Sequence, residues 1–110
     1  MSMGAGITRL RKHAEFSNAF ANGKSVANKI LVLYSYRRSE ADPARFGYSV
    51  SKRVGNAVIR NRVKRRLQSI MREVAPTMQS GYDYVWIARN RAAEVSFDRL
   101  KAAVLELVKR

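Results

Sequence analysis

Arg60, Arg62, Lys64, Arg65 and Arg66 place five cations within seven residues, with no acid among them. The chemistry this offers is the grip of phosphate oxygens. A guanidinium fork meets two such oxygens at once, and an ammonium supplies a mobile point charge beside it. A charge run is ordinarily a solvated helix face, but such a face mixes signs so that residues four apart pair. Like charges packed into two turns repel one another, so contact with a polyanion accounts better for this run. On a helical wheel the cations spread around three sides of an apolar stripe of Ile59, Val63, Leu67, Ile70 and Val74. Asn61, Arg65, Gln68 and Arg72 gather within about 60° on the outward side.

Aromatic residues form a second constellation. His13, Phe16 and Phe20 share one stripe of a first helix, beside another of Leu10, Ala14, Ser17 and Ala21. The reading is that the helix packs through one stripe and offers part of the other. Val32, Tyr34 and Tyr36 alternate onto one face of a strand, with Leu31 and Leu33 opposite. Rings beside cations suit single-stranded nucleic acid, because every base has a face that stacks. Core packing is the simpler account of the phenylalanines, and the residues alone leave both open. Gly47, Ser49 and Ser51 put small side chains on one face of another strand, which fits the floor of a cleft.

Hydrolytic chemistry is poorly provided for. It needs two carboxylates, or a carboxylate and a histidine, gathered with shifted pKa values. Glu40 and Asp42 share a turn, Asp83 starts a strand, and Glu94 and Asp98 flank a helix start where negative charge offsets the helix dipole. Ser49 and Ser51 have no base nearby in sequence. Gly55 to Arg60 lacks the spacing of a phosphate-binding loop. With one histidine and no cysteine, the chain is expected to supply neither a catalytic residue nor a metal site of its own.

The elements that must position these residues are legible from turn signals and periodicity. The 110 residues carry 22 Lys and Arg against 8 Asp and Glu, a net charge of +14. Between Pro43 and Tyr82 there is one acid, Glu73, against nine cations, so the charge is a patch. A polyanionic partner is the physical implication. A single domain over 1–110 is expected, with residues 1–7 a disordered N-terminus. The apolar run from Ile30 to Tyr34 falls far short of the roughly 20 residues of a membrane span. With no signal-like N-terminus, the expected compartment is the cytoplasm and no membrane partner is expected. The spacing predicts a helix over 8–21 capped by Thr8, then strands over 24–28, 29–37 and 45–53. A helix capped by Asn56 follows over 56–75, ended by Pro76. A buried strand over 82–88 leads to a last helix capped by Ser96, with Phe97, Leu100, Val104, Leu107 and Val108 inward. The order α-β-β-β-α-β-α implies an α+β two-layer sandwich, a four-stranded sheet with helices mainly on one face.

The stretch from Phe46 through Val50-Ser51-Lys52-Arg53-Val54-Gly55-Asn56 to Arg60-Asn61-Arg62-Val63-Lys64-Arg65-Arg66 closely resembles the signature of the bacterial ribonuclease P protein component. The resemblance extends upstream to Phe16, Phe20 and Gly23 to Asn28, and downstream to Asp83-Tyr84-Val85-Trp86-Ile87-Ala88-Arg89, covering roughly Leu10 to Leu107. It implies a subunit of a ribonucleoprotein in which a catalytic RNA removes the 5′ leader of precursor tRNA. Mg2+ held by RNA and substrate would perform the hydrolysis, and one protein would serve each catalytic RNA. By the same resemblance Arg60, Asn61, Arg62, Lys64 and Arg65, extended by Arg66 and Arg72, face the catalytic RNA. Phe16, Phe20, Val32 and Tyr34 would line a cleft for the single-stranded leader, with Ser49, Ser51, Lys52, Arg53 and Arg89 around it. A mixed sheet with a left-handed β-α-β crossover is implied too, against the general right-handed preference. Other readings of the charge are a ribosomal or general RNA-binding protein, a DNA-binding regulator and a free-standing nuclease. The regulator lacks a helix-turn-helix partner, and the nuclease lacks carboxylates.

Overall fold

Alternation along the central strand sorts the molecule into two faces. In the computed structural model, which describes residues 8–39 and 42–110, β5 (Tyr82–Ala88) turns Tyr84, Trp86 and Ala88 to one side. Val85 and Ile87 turn to the other. Burial along nearly its whole length is the mark of a strand covered on both faces. Its neighbours are β4 (Arg45–Ser49), which is parallel to it, and β3 (Leu31–Arg37), which is antiparallel. β2 (Lys24–Ala27) pairs antiparallel with β3 and closes one edge.

The other edge holds a fifth strand that the sequence reading placed in the first helix. Thr8 and Arg9 form β1, parallel to β4 and in register with Arg45 and Phe46. The sheet is therefore mixed, in the order β1-β4-β5-β3-β2. The Leu10 backbone N–H continues the pairing by donating to the Phe46 carbonyl at 2.9 Å. Helix α1 (His13–Asn22) starts only after Lys12, so Thr8 is not its cap. Glu15 reaches back instead, its Oε1 accepting the backbone N–H groups of Arg11 and Lys12, both at 3.1 Å. That is the acidic half of a capping box, three residues into the helix. The later start also changes the packing stripe. Ala19 is fully buried and Phe16 half-buried, whereas Ala14, Ser17 and Ala21 are exposed and Leu10 packs from outside the helix. Close approach at the helix end explains the choice. A Cβ on Gly23 would stand 2.6 Å from the Ala19 carbonyl oxygen and 2.8 Å from that of Ser35 on β3.

β3 starts later and β4 ends earlier than the expected 29–37 and 45–53, each for a local reason. β3 begins at Leu31 because the Asn28 side-chain oxygen takes the N–H groups of Ile30 and Leu31 at 3.0 and 2.8 Å. β4 ends at Ser49, and a turn over 52–54 follows in which the Val54 N–H donates to the Ser51 carbonyl. The expected turn at Asp42 and Pro43 separates β3 from β4. Glu40 and the expected disorder of residues 1–7 lie outside the described residues.

Helix α2 (Ala57–Val74) follows the expected pattern. The Asn56 side chain accepts the Ile59 N–H at 3.0 Å, and a 3-10 turn containing Pro76 ends the helix. Val63, Leu67, Ile70 and Val74 are buried, joined by Met71, whose sulfur accepts the Trp86 indole N–H at 3.3 Å. Helix α3 (Phe97–Val108) is capped by Ser96 and buries Leu100, Ala103, Val104 and Leu107. α2 and α3 cover the main core with Leu31, Leu33, Phe46, Tyr84 and Trp86. This is the α+β arrangement expected, with one strand more. α1 lies on the opposite face, over Val85, and leaves part of that face open. Among the described residues no helix is long and apolar enough to cross a membrane.

Tyr48, on the α2 side of β4, carries the largest displaced titration. Burial pushes its pKa up to about 12, against the opposing pull of Arg9 and Arg72. Because the folded value is raised, the linked stability is fully present below about pH 10, the ordinary tyrosine value, and is lost as pH rises towards 12. Ultraviolet phenolate titration should show a late transition that Tyr48→Phe removes. A loss of amplitude near the ordinary value of about pH 10 instead, with the late transition kept, would place Tyr48 in water.

Candidate nucleic-acid interface

Strand register builds the open face in rows. Gly47, Val85 and Tyr34 stand side by side on β4, β5 and β3, beneath α1. Glycine is required at the first position, because a Cβ there would lie 2.6 Å from the Phe16 ring. Phe16 thus packs directly on the sheet. Phe20, one turn further along, has its ring centroid 6.5 Å from that of Phe16 and 5.1 Å from that of Tyr34, which it meets edge-on. Phe20 remains 40% exposed, an unusual position for a large aromatic residue. The next row is Ser49, Ile87 and Val32. The result is a small-residue and aliphatic floor with an aromatic wall along one side.

Beyond that row the strands end, and their ends carry charge. Lys29, Arg53, Arg89 and Arg91, with Ser51 and Asn28, line a groove of about 690 Å³ that no carboxylate enters. Asn28 organises it. Its side-chain amide donates to the Ala103 carbonyl at 3.1 Å and to Glu106 at 3.0 Å, and its carbonyl accepts Arg89 Nη1 at 3.1 Å. Ser51, Arg53 and Arg89 are thus brought together as expected. Lys52 is exposed on the turn and does not line the groove, and His13 is exposed on α1 near Ser17. Lys29, Arg91 and Ile87 escaped the sequence reading. Once β3 and β5 are paired, register alone puts Ile87 beside Val32 and the strand-end cations together.

The basic helix presents its charges in two ways. Arg60 Nη1 donates to the Gly55 carbonyl at 3.1 Å, Arg62 Nη2 to Ala93 at 3.4 Å and Arg66 Nη1 to Val95 at 3.2 Å. Each bond engages one N–H group and orients the rest of the fork. Asn61, Lys64, Arg65 and Arg72 are exposed. Among the described residues none of these cations is ion-paired. Glu73 is held by Lys101 at 2.8 Å and Glu106 by Arg110 at 3.4 Å. The segment 89–95 touches the groove through Arg89 and Arg91 and the helix through Ala93 and Val95, so it links the two cationic surfaces, with the exposed Glu94 between those two helix contacts.

Asp42, Asp83 and Glu15 are engaged by arginine. Asp83, 1% exposed, accepts Arg38 Nε at 2.6 Å and Arg45 Nε and Nη2 at 2.8 and 2.7 Å. Arg45 Nη1 also reaches Glu15 Oε2 at 2.8 Å. The Lys12 backbone N–H is the main influence holding the Glu15 carboxyl below its usual range, and the Asp83 hydrogen bond raises the Arg45 value. Among the described residues no three of His, Asp and Glu gather as a metal-sized group. These donors do not fit a magnesium ion bound by the protein.

An α+β domain with a strongly cationic surface that links an arginine helix to a groove beside an aromatic cleft is of the nucleic-acid-binding class. The comparisons narrow this. The ribonuclease P family profile matches residues 6–110, and the chain belongs to that family. It is 42% identical to the ribonuclease P protein component of Caldanaerobacter subterraneus over 94% of this chain and 89% of that one. Against the Bacillus cereus protein component it is 41% identical, over 93% and 89%. The solved Staphylococcus aureus RNase P protein superposes with a TM-score of 0.83 at 34% identity, covering 92% of both chains. That of Thermotoga maritima gives 0.83 at 32% identity, covering 93% and 96%.

Proposed function

We propose that the chain is the protein subunit of ribonuclease P and assists removal of the 5′ leader from precursor tRNA. The observation that carries this is the cationic surface of α2, linked through residues 89–95 to the strand-end groove beside the aromatic cleft. Arg60, Asn61, Arg62, Lys64, Arg65, Arg66 and Arg72 bind the catalytic RNA. Their charges offset phosphate repulsion, so the RNA folds at lower magnesium. The leader enters between α1 and the sheet, where Phe16, Phe20, Val32 and Tyr34 receive its bases. Ser49, Ser51, Arg53 and Arg89 flank its backbone, with Lys52 at the rim. Mg2+ bound by RNA and substrate supplies the hydrolytic chemistry. One protein per catalytic RNA and a cytoplasmic setting belong to the same reading.

The test is cleavage of precursor tRNA by bacterial ribonuclease P RNA at low magnesium, with and without the protein. Substrates carry leaders of one and of about six nucleotides, a length that a cleft of this kind can hold. Stimulation that is greater for the longer leader is expected. Absence of stimulation would leave general RNA binding, and cleavage without the RNA would place the chemistry in the protein.

A further inference from the structure

The cleft's width is set by how α1 sits on the sheet, and the helix is held there in different ways along its length. At its C-terminal end Gly23 lies against β3, and in the middle Phe16 lies on Gly47. The N-terminal end is tied by charge. Asp83 sits on β5, in register with Arg45 on β4 and Tyr36 on β3. The same carboxylate takes two nitrogens of Arg45 and one of Arg38, which itself bonds Asp42 at 3.1 Å. Arg45 has one terminal nitrogen left, Nη1, and it reaches up to Glu15 on α1. The other Glu15 oxygen carries the N–H groups of Arg11 and Lys12. A buried carboxylate, a guanidinium and the helix-start carboxylate thus form one relay from the sheet's interior to the first turn of α1.

We infer that Glu15, Arg45 and Asp83 are positioning residues that hold α1 at the height at which Phe20 and Tyr34 receive the leader. None of the three lines the cleft's aromatic wall, so they act through the helix. The inference rests on the leader reading of the cleft. Two features argue for positioning beyond general stability. A buried charge pair is weak evidence of net stabilisation but a strong constraint on geometry. Here, in addition, Arg45 divides a rigid planar fork between two carboxylates on different elements, using three separate nitrogens where a lysine has one.

Glu15→Gln isolates the link, because the amide oxygen still accepts the two backbone N–H groups while the ion pair to Arg45 is lost. Arg45→Lys is the companion, since a single nitrogen on a flexible stem cannot hold Asp83 bidentately and reach Glu15 in the same fixed geometry. Holoenzymes assembled with bacterial ribonuclease P RNA are compared on the short-leader and long-leader precursors. Glu15→Gln should weaken binding of the long-leader substrate roughly fivefold to tenfold, as expected when a supporting shell loosens by a fraction of an ångström. Short-leader binding, catalytic-RNA affinity and the saturated cleavage rate should stay within about twofold. The double variant should be no worse than the worse single one, because both cut the same link. Amide exchange should quicken across α1 alone. Equal losses on both substrates, or faster exchange throughout the protein, would overturn positioning in favour of plain stability. Phe20→Ala leaves the relay intact and reports on the cleft separately. A leader-selective loss there with none in Glu15→Gln overturns the relay alone, and a loss in neither overturns the leader reading together with it.

Discussion

Replacing Lys64 and Arg65 together by alanine is expected to weaken binding to the catalytic RNA on the order of 100-fold, roughly tenfold for each charge-assisted phosphate contact after screening. Both side chains are exposed on α2 and carry no ion pair among the described residues. Alanine is the best helix former, so the variant should fold as the parent does. That separates these two from Arg60, Arg62 and Arg66, whose bonds to Gly55, Ala93 and Val95 mix a structural role with an electrostatic one. The diagnostic quantity is the salt dependence. Each lost phosphate contact should flatten the plot of log affinity against log salt by about 0.7–0.9. The double variant should therefore lose about 1.4–1.8 from the slope. Equilibrium binding over a salt series measures both. A weaker complex with an undiminished slope would assign the residues a role other than phosphate neutralisation, and unchanged affinity would move the RNA contact off this part of α2.

The parts of the fold legible in the sequence are those governed by short-range rules. Asn56 and Ser96 cap the helices where their spacing placed them, Pro76 ends α2, and β5 spans the expected residues 82–88. The misplaced parts depend on partners distant in the chain. Thr8 and Arg9 have no helical defect of their own and become a strand because β4 offers an unpaired edge. The packing stripe of α1 is chosen by Gly47 and Gly23, which set where a helix can approach the sheet. The candidate site divides in the same way. The basic run is a local feature and was visible at once. Lys29 and Arg91 lie 62 residues apart in sequence and share a groove only because β3 pairs with β5.

The acids illustrate the same division. In sequence Asp83 and Glu15 are two of 8 scattered carboxylates, each consistent with solvated surface. In the fold they are the two ends of one arginine-bridged relay, and Asp83 is buried. Concentrating neutralised charge beside β1 and β4 leaves the groove without a carboxylate and α2 with Glu73 alone, which Lys101 holds. A phosphate backbone approaching there meets a large excess of cations, which favours fast, electrostatically guided association.

Phe20→Ala is expected to weaken long-leader precursor tRNA by roughly five- to 100-fold while leaving mature tRNA within about twofold, since stacking of one base on an aromatic ring contributes about 1–3 kcal/mol. The physical case rests on exposure. Phe16 lies against Gly47, so its removal would disturb the packing of α1 as well as any stacking. Phe20 meets Tyr34 edge-on and Phe16 at a tilt, and a large part of its surface stays exposed. Phe20→Trp should retain binding because a larger ring still stacks, which distinguishes base contact from shape-specific packing. Shortening the leader to one nucleotide should abolish the difference between parent and variant. A loss that persists with mature tRNA would mean that Phe20 supports the protein as a whole. A loss confined to the long leader ties the exposed aromatic wall to the single strand.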